Sequence, residues 1–279
     1  MVVKQNRKYQ ELKKSGTGPS YSIRVLERAV EILNVFTLNE PEKSLTELSR
    51  ETGLNKSTVF RILDTLEDLG WVSRDSKTGL YRLGLGIFEL GSRAIKGLDF
   101  YKISRSHLEQ LVKITGQTVH LGIHDNGQIL YLNKLETPGT FISQPSSIGL
   151  RLPLHCTAMG KILLAFAIEE DRIDEILAEH GLKKFTKNTI TTKSELLKEL
   201  ETVKKRGYAI DNQEVQDGLC CVAAPIKDHN CKVVAAISVS GLSVYFNDRR
   251  IPFLTNEVVK VSQCISRDLG CRTYECSIF

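Results

Sequence analysis

The spacing of hydrophobic residues predicts two short helices near the start of the chain. From Ser22 onward, apolar side chains recur at helical spacing, at Val25, Leu26, Ala29, Val30, Leu33 and Phe36. Ser44 then stands three residues before Glu47, a spacing at which each side chain satisfies a free backbone N–H of the other. A second helix is therefore predicted to begin after Ser44 and to end at Gly53.

A third helix is predicted after Asn55, and Gly70 ends it. The following stretch, WVSRDSKTGLYRL, has the pattern of strand, turn and strand, with the turn at Asp75 to Gly79. Residues 22–84 are thus predicted to form a helix-turn-helix with a two-stranded wing. The apolar stripe of the third helix consists of Val59, Ile62, Leu63, Leu66 and Leu69.

Beyond the wing, the pattern predicts a linker helix and then an α+β domain with a mainly antiparallel sheet. Helical spacing runs from Leu85 to Ile95 and again from Ile103 to Ile114. Strand-like runs follow in TVHLGIH and QILYLNKL, which a short turn separates. Further helices are predicted near Cys156 to Phe166, Asp171 to Glu179, Lys193 to Arg206 and Arg250 to Leu269, and strands near Cys220 to Ile226 and Val233 to Val239.

The exposed face of the third helix carries small polar and basic side chains together with one aromatic ring. A helix-turn-helix places such a face in the DNA major groove, where phosphates attract lysine, arginine and helix N-termini. Arg61 has the donor geometry that base edges require, and Phe60 suits a thymine methyl group or a sugar. The predicted DNA-binding residues are Lys56, Ser57, Thr58, Phe60 and Arg61 on the helix, and Arg74 and Lys77 on the wing.

The alternative for this region is an ordinary three-helix bundle with a solvated charged face. The wing and a basic N-terminal arm favour DNA instead. The net charge of +5 permits an anionic partner without requiring one. In the arm, only Glu11 opposes five cationic residues, Lys4, Arg7, Lys8, Lys13 and Lys14.

Composition narrows the class of protein. With 41% hydrophobic and 25% charged residues over 279 positions, the chain has the mix of a soluble globular protein with room for two ordinary domains. It holds no run of about 18 apolar residues and no apolar leader, so we expect a cytoplasmic protein without membrane contact. Its seven cysteines are odd in number and irregularly spaced, which predicts reduced thiols.

Four sequence motifs carry a resemblance to a known family. The recognition-helix stretch is LNKSTVFRILDTLEDLGWV, and the later motifs are LPLHCTAMGKILLA, RGYAIDNQEVQDGLCCVAAPI and AAISVSG. In order and spacing, the chain from Ser22 to about Gly270 resembles the IclR (isocitrate-lyase regulator) family of bacterial transcription factors. Among its members, those that control sugar-acid and aromatic-acid catabolism are the most similar, especially the 2-keto-3-deoxygluconate regulators.

The resemblance implies a ligand-responsive regulator, a repressor of a carbon-catabolism operon, and not an enzyme. It also implies operator DNA and a small organic or sugar acid as partners, a homodimer or homotetramer, and no cofactor. The implied fold is a winged helix-turn-helix, a linker helix and a GAF-like effector-binding domain. The corresponding boundaries are 1–21 for the basic arm, 22–84 for the DNA-binding domain, 85–99 for the linker helix, 100–270 for the effector domain and 271–279 for the tail.

The resemblance also assigns an effector pocket, motif by motif. A small carboxylate needs backbone N–H groups, here at the start of the helix after His155, and hydroxyl donors in an apolar cavity. Met159 departs from the family pattern, in which a smaller residue is common, so its thioether is expected to narrow or reshape the pocket. The implied effector-binding residues are Ala158, Met159, Asp211, Cys221, Ser238 and Ser240.

Two other functions stay open at this point. One is a redox or hydrolytic enzyme with Cys220 or Cys221 as its nucleophile, for which His120 or His155 is the candidate base. The other is a protein-interaction module with a degenerate winged helix, which would lack salt-sensitive DNA binding.

A metal site is a further alternative, built from His120, His124 or His155 with Cys221 or Glu214. No pair of these residues has the close spacing of a zinc motif, so we predict no metal. His120 is predicted to be a polar lining residue of the pocket. Glu214 has the alternative of a plain surface ion pair.

Overall fold

A computed structural model describes residues 23–37, 39–136 and 147–272. The basic arm, the start of the predicted first domain and the tail beyond Arg272 lie outside the described residues. The chain divides into two compact units between Ile95 and Lys96. None of the described helices combines the length and the hydropathy that a membrane span requires.

The first unit has the predicted helix-turn-helix and wing. Its wing strands, Val72–Arg74 and Tyr81–Leu83, pair antiparallel, and the second also pairs with Glu42–Lys43, a two-residue strand too short for the hydrophobic pattern to reveal. The elements are α1 (Arg24–Leu33), β1 (Glu42–Lys43), α2 (Leu45–Thr52), α3 (Lys56–Asp68), β2 (Val72–Arg74) and β3 (Tyr81–Leu83).

Local sequence signals fix the ends of these helices. Ser44 and Glu47 form the predicted reciprocal cap, since the Ser44 N–H donates to the Glu47 carboxylate at 2.8 Å and the Glu47 N–H to Ser44 Oγ at 3.3 Å. Gly53 and Gly70 both adopt the left-handed conformation in which glycine follows a helix without strain. Asn55 is the N-cap of α3, but its side chain makes no capping hydrogen bond.

One assignment to an apolar stripe was wrong. Leu69 is 61% exposed, because it is the C-cap residue of α3 and no longer follows the helical stripe. The predicted first helix is present as α1, but three residues of its apolar pattern are exposed and Ile32 is fully buried. Periodicity finds an apolar face but does not show which part of it a neighbouring element covers. The exposed residues of α1 are Val25, Leu26 and Val30.

The start of α4 (Leu85–Lys96) packs tightly against the turn that follows α3. A Cβ atom on Gly84 would lie 2.3 Å from the carbonyl oxygen of Gly70, and one on Gly86 would lie 2.9 Å from the Trp71 ring. The N–H groups of both glycines donate to that turn, at 2.7 Å to the Trp71 oxygen and 2.9 Å to the Gly70 oxygen. Only glycine permits this approach.

The second unit is an α+β domain with an antiparallel sheet, as predicted. Its elements are α5 (Asp99–Thr115), β4 (Thr118–Asp125), β5 (Gln128–Leu135), β6 (Arg151–Pro153), α6 (Ala158–Phe166), α7 (Glu170–His180), α8 (Lys193–Arg206), β7 (Ala209–Asn212), β8 (Leu219–Lys227), β9 (Val233–Leu242), a 3-10 turn (Ser243–Tyr245) and α9 (Arg250–Asp268). The sheet has six strands in the order β6-β5-β4-β9-β8-β7. The helix α8 has the predicted bounds. The strands β6 and β7 were not predicted, because runs of three and four residues carry no clear alternation.

Hydrophobic side chains cover the two faces of this sheet differently. On one face, Val119, Leu121 and Val239 pack with residues of α5 and α9. On the other face lies α6, whose residues from Ala158 to Ala165 are all buried. Side chains alternate between faces along a strand, so the residues between those core positions point towards α6. This second face holds the cavity described below.

Candidate functional site

The outer face of α3 is exposed and presents the residues predicted to contact DNA. Lys56, Ser57 and Arg61 are exposed, Thr58 is half-buried, and Phe60 has 44% of its surface exposed. The Asn55 side chain does not cap α3, and the N-terminus of a helix attracts anions. The arrangement suits phosphate and base contacts.

The wing holds its two predicted DNA contacts in different ways. Asp75 accepts hydrogen bonds from the backbone N–H groups of Lys77, at 2.9 Å, and Thr78, at 2.7 Å. These bonds lower the Asp75 pKa and fix a turn on which the Lys77 side chain is exposed. Arg74 lies over the Tyr81 ring, 5.3 Å from its centre. Both cations are exposed and available to a phosphate.

The second unit contains a cavity of about 390 Å³, including its open mouth. All six residues assigned from the family resemblance line it, and so does His120, as predicted. The pattern gave no sign of the other lining residues. The full lining is His120, Tyr131, Leu152, Thr157, Ala158, Met159, Asp211, Val215, Leu219, Cys221, Ser238 and Ser240.

Strand pairing brings the polar lining residues together from distant parts of the sequence. In the register of the sheet, Asp211 lies opposite Cys221, and Cys221 lies opposite Ser240. His120 lies opposite Ser238, and its Nδ1 is 3.4 Å from Ser240 Oγ. Directly opposed residues share a face of the sheet, so these side chains form one continuous polar row.

The N-terminus of α6 faces this polar row. Thr157 caps the helix by accepting the Gly160 N–H at 3.1 Å, and Ala158 and Met159 line the cavity from its first turn. A Cβ on Gly160 would lie 2.3 Å from the Leu154 oxygen, so glycine is required where the helix begins. A helix N-terminus in a buried cavity is a site for an anion.

Burial shifts the protonation of the cavity's two most polar side chains. It raises the pKa of Asp211 to about 7, although the Glu214 N–H, 2.7 Å away, favours the ionised form. It lowers the pKa of His120 to about 3, with a smaller contribution from the charge of Lys134. Among the described residues, no lysine or arginine lines the cavity. The described lining thus supplies no positively charged side chain, and an anion there depends on the N-terminus of α6.

Behind the cavity, a buried ion pair supports the turn that carries Asp211. Lys161 is only 2% exposed, and its Nζ donates to Glu214 Oε1 at 2.5 Å and to the Ile210 oxygen at 2.9 Å. Glu214 is an ion-pair residue, although a buried one rather than a surface one. Lys161 was not predicted, because its only signal in the sequence is a lone cation inside an apolar helix.

Burial disfavours reactive thiolates at the two described cysteines that were candidate nucleophiles. Burial raises the pKa of Cys221 well above its ordinary value and that of Cys220 to about 11, which disfavours the nucleophilic thiolate. His155 Nε2 lies 3.1 Å from the Lys183 oxygen, and His124 accepts the Gly127 N–H, so both lie outside the lining. Within residues 23–37, 39–136 and 147–272 there is no metal-ligand cluster.

Comparison with known proteins gives matches along most of the chain. Residues 25–76 match the IclR helix-turn-helix domain, and residues 92–267 match the C-terminal domain of the bacterial transcriptional regulator IclR. The HTH-type transcriptional regulators XynR and KdgR of Escherichia coli K12 are each 34% identical over 248 residues. These matches cover 89% and 87% of this chain and 98% and 94% of the relatives.

Solved structures of IclR-family proteins resemble both units of this chain. The crystal structure of Thermotoga maritima IclR is 35% identical, with a TM-score of 0.73 over 89% of this chain and 100% of that one. The C-terminal domain of E. coli KdgR is 32% identical, with a TM-score of 0.56 over 62% of this chain and 99% of that one. With both parts matched, this chain is a DNA-binding transcriptional regulator rather than an enzyme, and it belongs to the IclR family.

Proposed function

We propose that the protein represses a carbon-catabolism operon and responds to a small organic acid held in the cavity of its second unit. The observation that carries this proposal is the convergence of an α6 N-terminus with a row of neutral hydrogen-bonding groups in one buried cavity. Such a site binds one negative charge together with polar substituents. The similarity to KdgR and XynR supports a sugar acid as the ligand class.

The DNA contacts divide into two kinds in this proposal. Lys56, Ser57 and Thr58 bind phosphates at the N-terminus of α3, and Arg74 and Lys77 bind phosphates beside the groove. The exposed face of α3 gives the base contacts. There, Arg61 donates to a base edge and Phe60 packs on a thymine methyl group.

The ligand contacts follow from the cavity lining. The first-turn N–H groups at Ala158 and Met159, with the hydroxyls of Ser238 and Ser240, donate to the carboxylate. Asp211 stays protonated or accepts a hydrogen bond from a ligand hydroxyl, because an ionised Asp211 would repel the acid. Cys221 and Met159 shape the wall. A hydroxy acid or keto acid is therefore favoured over a plain one.

The proposal includes a dimer on operator DNA. One winged helix has few contacts for tight specific binding, and two-fold symmetry lets two half-sites add their free energies. On α4, Leu85 and Phe88 are 80% and 71% exposed, which supports a contact between copies there. The domain boundaries at 22–84, 85–99 and 100–270, and a cytoplasmic location, belong to the same proposal.

Thermal unfolding of the full chain in the presence of catabolic acids tests the proposal. A ligand that binds the native state raises the unfolding temperature by mass action, so a hydroxylated or keto acid is expected to do so. The same acid should then change the affinity for operator DNA. An acid that stabilises the protein without affecting DNA binding would contradict the regulatory role.

A further inference from the structure

Two cysteines meet where the turn between β8 and β9 packs against the end of α9. The Sγ atoms of Cys231, in that turn, and Cys271, just after the helix, lie 2.8 Å apart. An S–S bond is about 2.05 Å long, so the two sulfur atoms need little movement to form one. Cys231 is exposed, whereas Cys271 is fully buried. One thiol of the pair is thus open to a reagent from solvent, and the other lies directly behind it.

Hydrogen bonds fix the turn that carries Cys231. The Asp228 carboxylate accepts the backbone N–H groups of Asn230, at 2.9 Å, and Lys232, at 3.0 Å. The Cys231 N–H donates to the Asp228 oxygen at 2.9 Å. Cys231 has a φ of +59°, a left-handed conformation that favours glycine or asparagine. The turn itself therefore gives no reason for a cysteine at this position.

Further contacts hold this turn against the end of α9. The Lys227 N–H donates to Ser266 Oγ at 2.9 Å, and the Cys271 N–H donates to the Ser266 oxygen at 2.9 Å. A Cβ atom on Gly270 would lie 3.2 Å from the His229 Cβ, so the two segments are in close contact. Because both backbones are fixed, the short distance between the sulfur atoms is a property of the fold.

Two sulfur ligands alone do not complete a metal site. A structural zinc ion takes four ligands, and the part of the chain that the structure describes contains no group of three or more metal-binding side chains. Oxidation to a disulfide needs only the two thiols and an oxidant. In a reducing compartment such a pair stays as thiols until an oxidant arrives, and disulfides that form there are typically redox-responsive.

We propose that Cys231 and Cys271 form a reversible disulfide when the protein meets hydrogen peroxide. The Cys231 thiolate attacks the peroxide, the O–O bond breaks, and a sulfenic acid forms as one water molecule leaves. The Cys271 thiolate then attacks the Cys231 sulfur, the S–O bond breaks, and the departing hydroxide takes up a proton to give a second water molecule. Two thiols are thus oxidised to one disulfide, and one hydrogen peroxide is reduced to two water molecules.

The disulfide fastens α9 to the sheet at a distance from the proposed effector cavity. It closes a loop over residues 231–271, which lowers the entropy of the unfolded chain and so stabilises the second unit. Cys221 and Ser240 line the cavity six and seven residues from the ends of β8 and β9 at this turn, or roughly 20 Å at about 3.3 Å per residue. The inference therefore does not depend on the proposed acid site.

Peptide mapping of the reduced full-length protein after treatment with hydrogen peroxide tests the inference. Trypsin cleaves after lysine and arginine, so Cys231 and Cys271 fall in two separate peptides, residues 228–232 and 268–272, and Cys264 and Cys276 fall in two others. We expect the first two peptides to be joined and two of the seven thiols to be lost. The protein should still run as a single chain on a non-reducing denaturing gel.

The oxidised protein should also unfold at a higher temperature. A disulfide across a loop of this length is expected to raise the melting temperature of the second unit by about 5–10 °C. Reduction with dithiothreitol should reverse both the linkage and the shift.

Serine variants assign the roles of the two cysteines. Cys231→Ser should abolish the linkage and the rise in melting temperature. Cys271→Ser should leave a sulfenic acid at Cys231, which dimedone labels, because the second thiolate is missing. Cys264→Ser, which removes a thiol from α9 itself, is the matched control and should form the linkage as the wild type does.

Three results would overturn the inference: linkage of Cys231 to a different cysteine, a disulfide between two chains, or seven intact thiols after peroxide treatment. An oxidised protein that melts at the temperature of the reduced one would contradict the fastening of α9 to the sheet.

Discussion

The outer face of α3 and the cavity of the second unit both present polar groups, but under opposite conditions. On α3, Lys56 and Arg61 are exposed, so each single charge contributes little in water and many contacts must add up. In the cavity, Asp211 and His120 are at least 97% buried, and burial is the largest influence on whether each carries a charge. DNA binding is thus expected to depend on salt and to tolerate the loss of single contacts. Ligand binding in the cavity is expected to depend on single atoms.

The largest expected difference between the two regions concerns packing. Gly160→Ala places a Cβ against the Leu154 backbone at the start of α6 and should destabilise the second unit by about 3 kcal/mol. Gly91→Ala, in α4, meets no atom within 4 Å and should stabilise its helix by up to about 1 kcal/mol. Hydrogen exchange, resolved by unit, measures both changes. Similar small effects of the two variants would show that the helix start at the cavity is not tightly packed.

Arg61→Ala tests the base contact assigned to α3. It should reduce binding to the operator by about 1–3 kcal/mol and binding to unrelated DNA far less, because a bidentate base contact carries sequence information. Lys77→Ala on the wing is the control, and it should weaken both DNAs equally and lower the salt slope by about 1. Filter binding or fluorescence anisotropy over a salt series measures these changes. If Arg61→Ala weakened binding to the operator and to unrelated DNA equally, Arg61 would be a phosphate contact and not a base contact.

The protonation of Asp211 gives the cavity a pH dependence. Its pKa in the folded state is raised to about 7 from an ordinary value of 3.8, so the native state binds this proton more tightly. The resulting stability is fully present below pH 3.8 and is lost as the pH rises through about 7.

Acid binding should follow the same titration. Above pH 7, affinity for a carboxylate should fall by up to about tenfold per pH unit, because ionised Asp211 repels it. Asp211→Asn should remove this dependence, as measured by titration calorimetry at pH 6 and pH 8. A wild-type affinity that is flat over this range would show that Asp211 stays ionised or does not face the ligand.

The two regions also differ in how far the sequence predicts them. The fold of the first unit could be predicted from local sequence signals. Examples are the Ser44–Glu47 cap, Gly53 and the apolar stripe through Val59 and Leu63. Those signals act between residues a few positions apart. They failed for Leu69, and they did not show which apolar residues of α1 are buried, because burial depends on which neighbouring element covers the helix.

The cavity depends on strand register, which one sequence does not reveal. Asp211, Cys221 and Ser240 come together only because β7, β8 and β9 pair in one register, and their positions came from the motif resemblance alone. Tyr131 and Lys161 had no such motif role. The role of an aromatic residue on a strand, or of a cation in an apolar helix, cannot be inferred until the residues that it contacts are known.

The central claim is that an acid in the cavity controls DNA binding at α3. A ligand changes DNA affinity only if it binds one state of the protein better than the other. Operator affinity of the Ser238→Ala/Ser240→Ala variant, measured with increasing amounts of the acid that stabilises the wild type, tests this claim. We expect unchanged DNA affinity without the acid and a response midpoint raised about thirtyfold or lost, since two hydrogen bonds of about 1 kcal/mol each are removed. A variant that answers the acid at the wild-type midpoint would contradict the account.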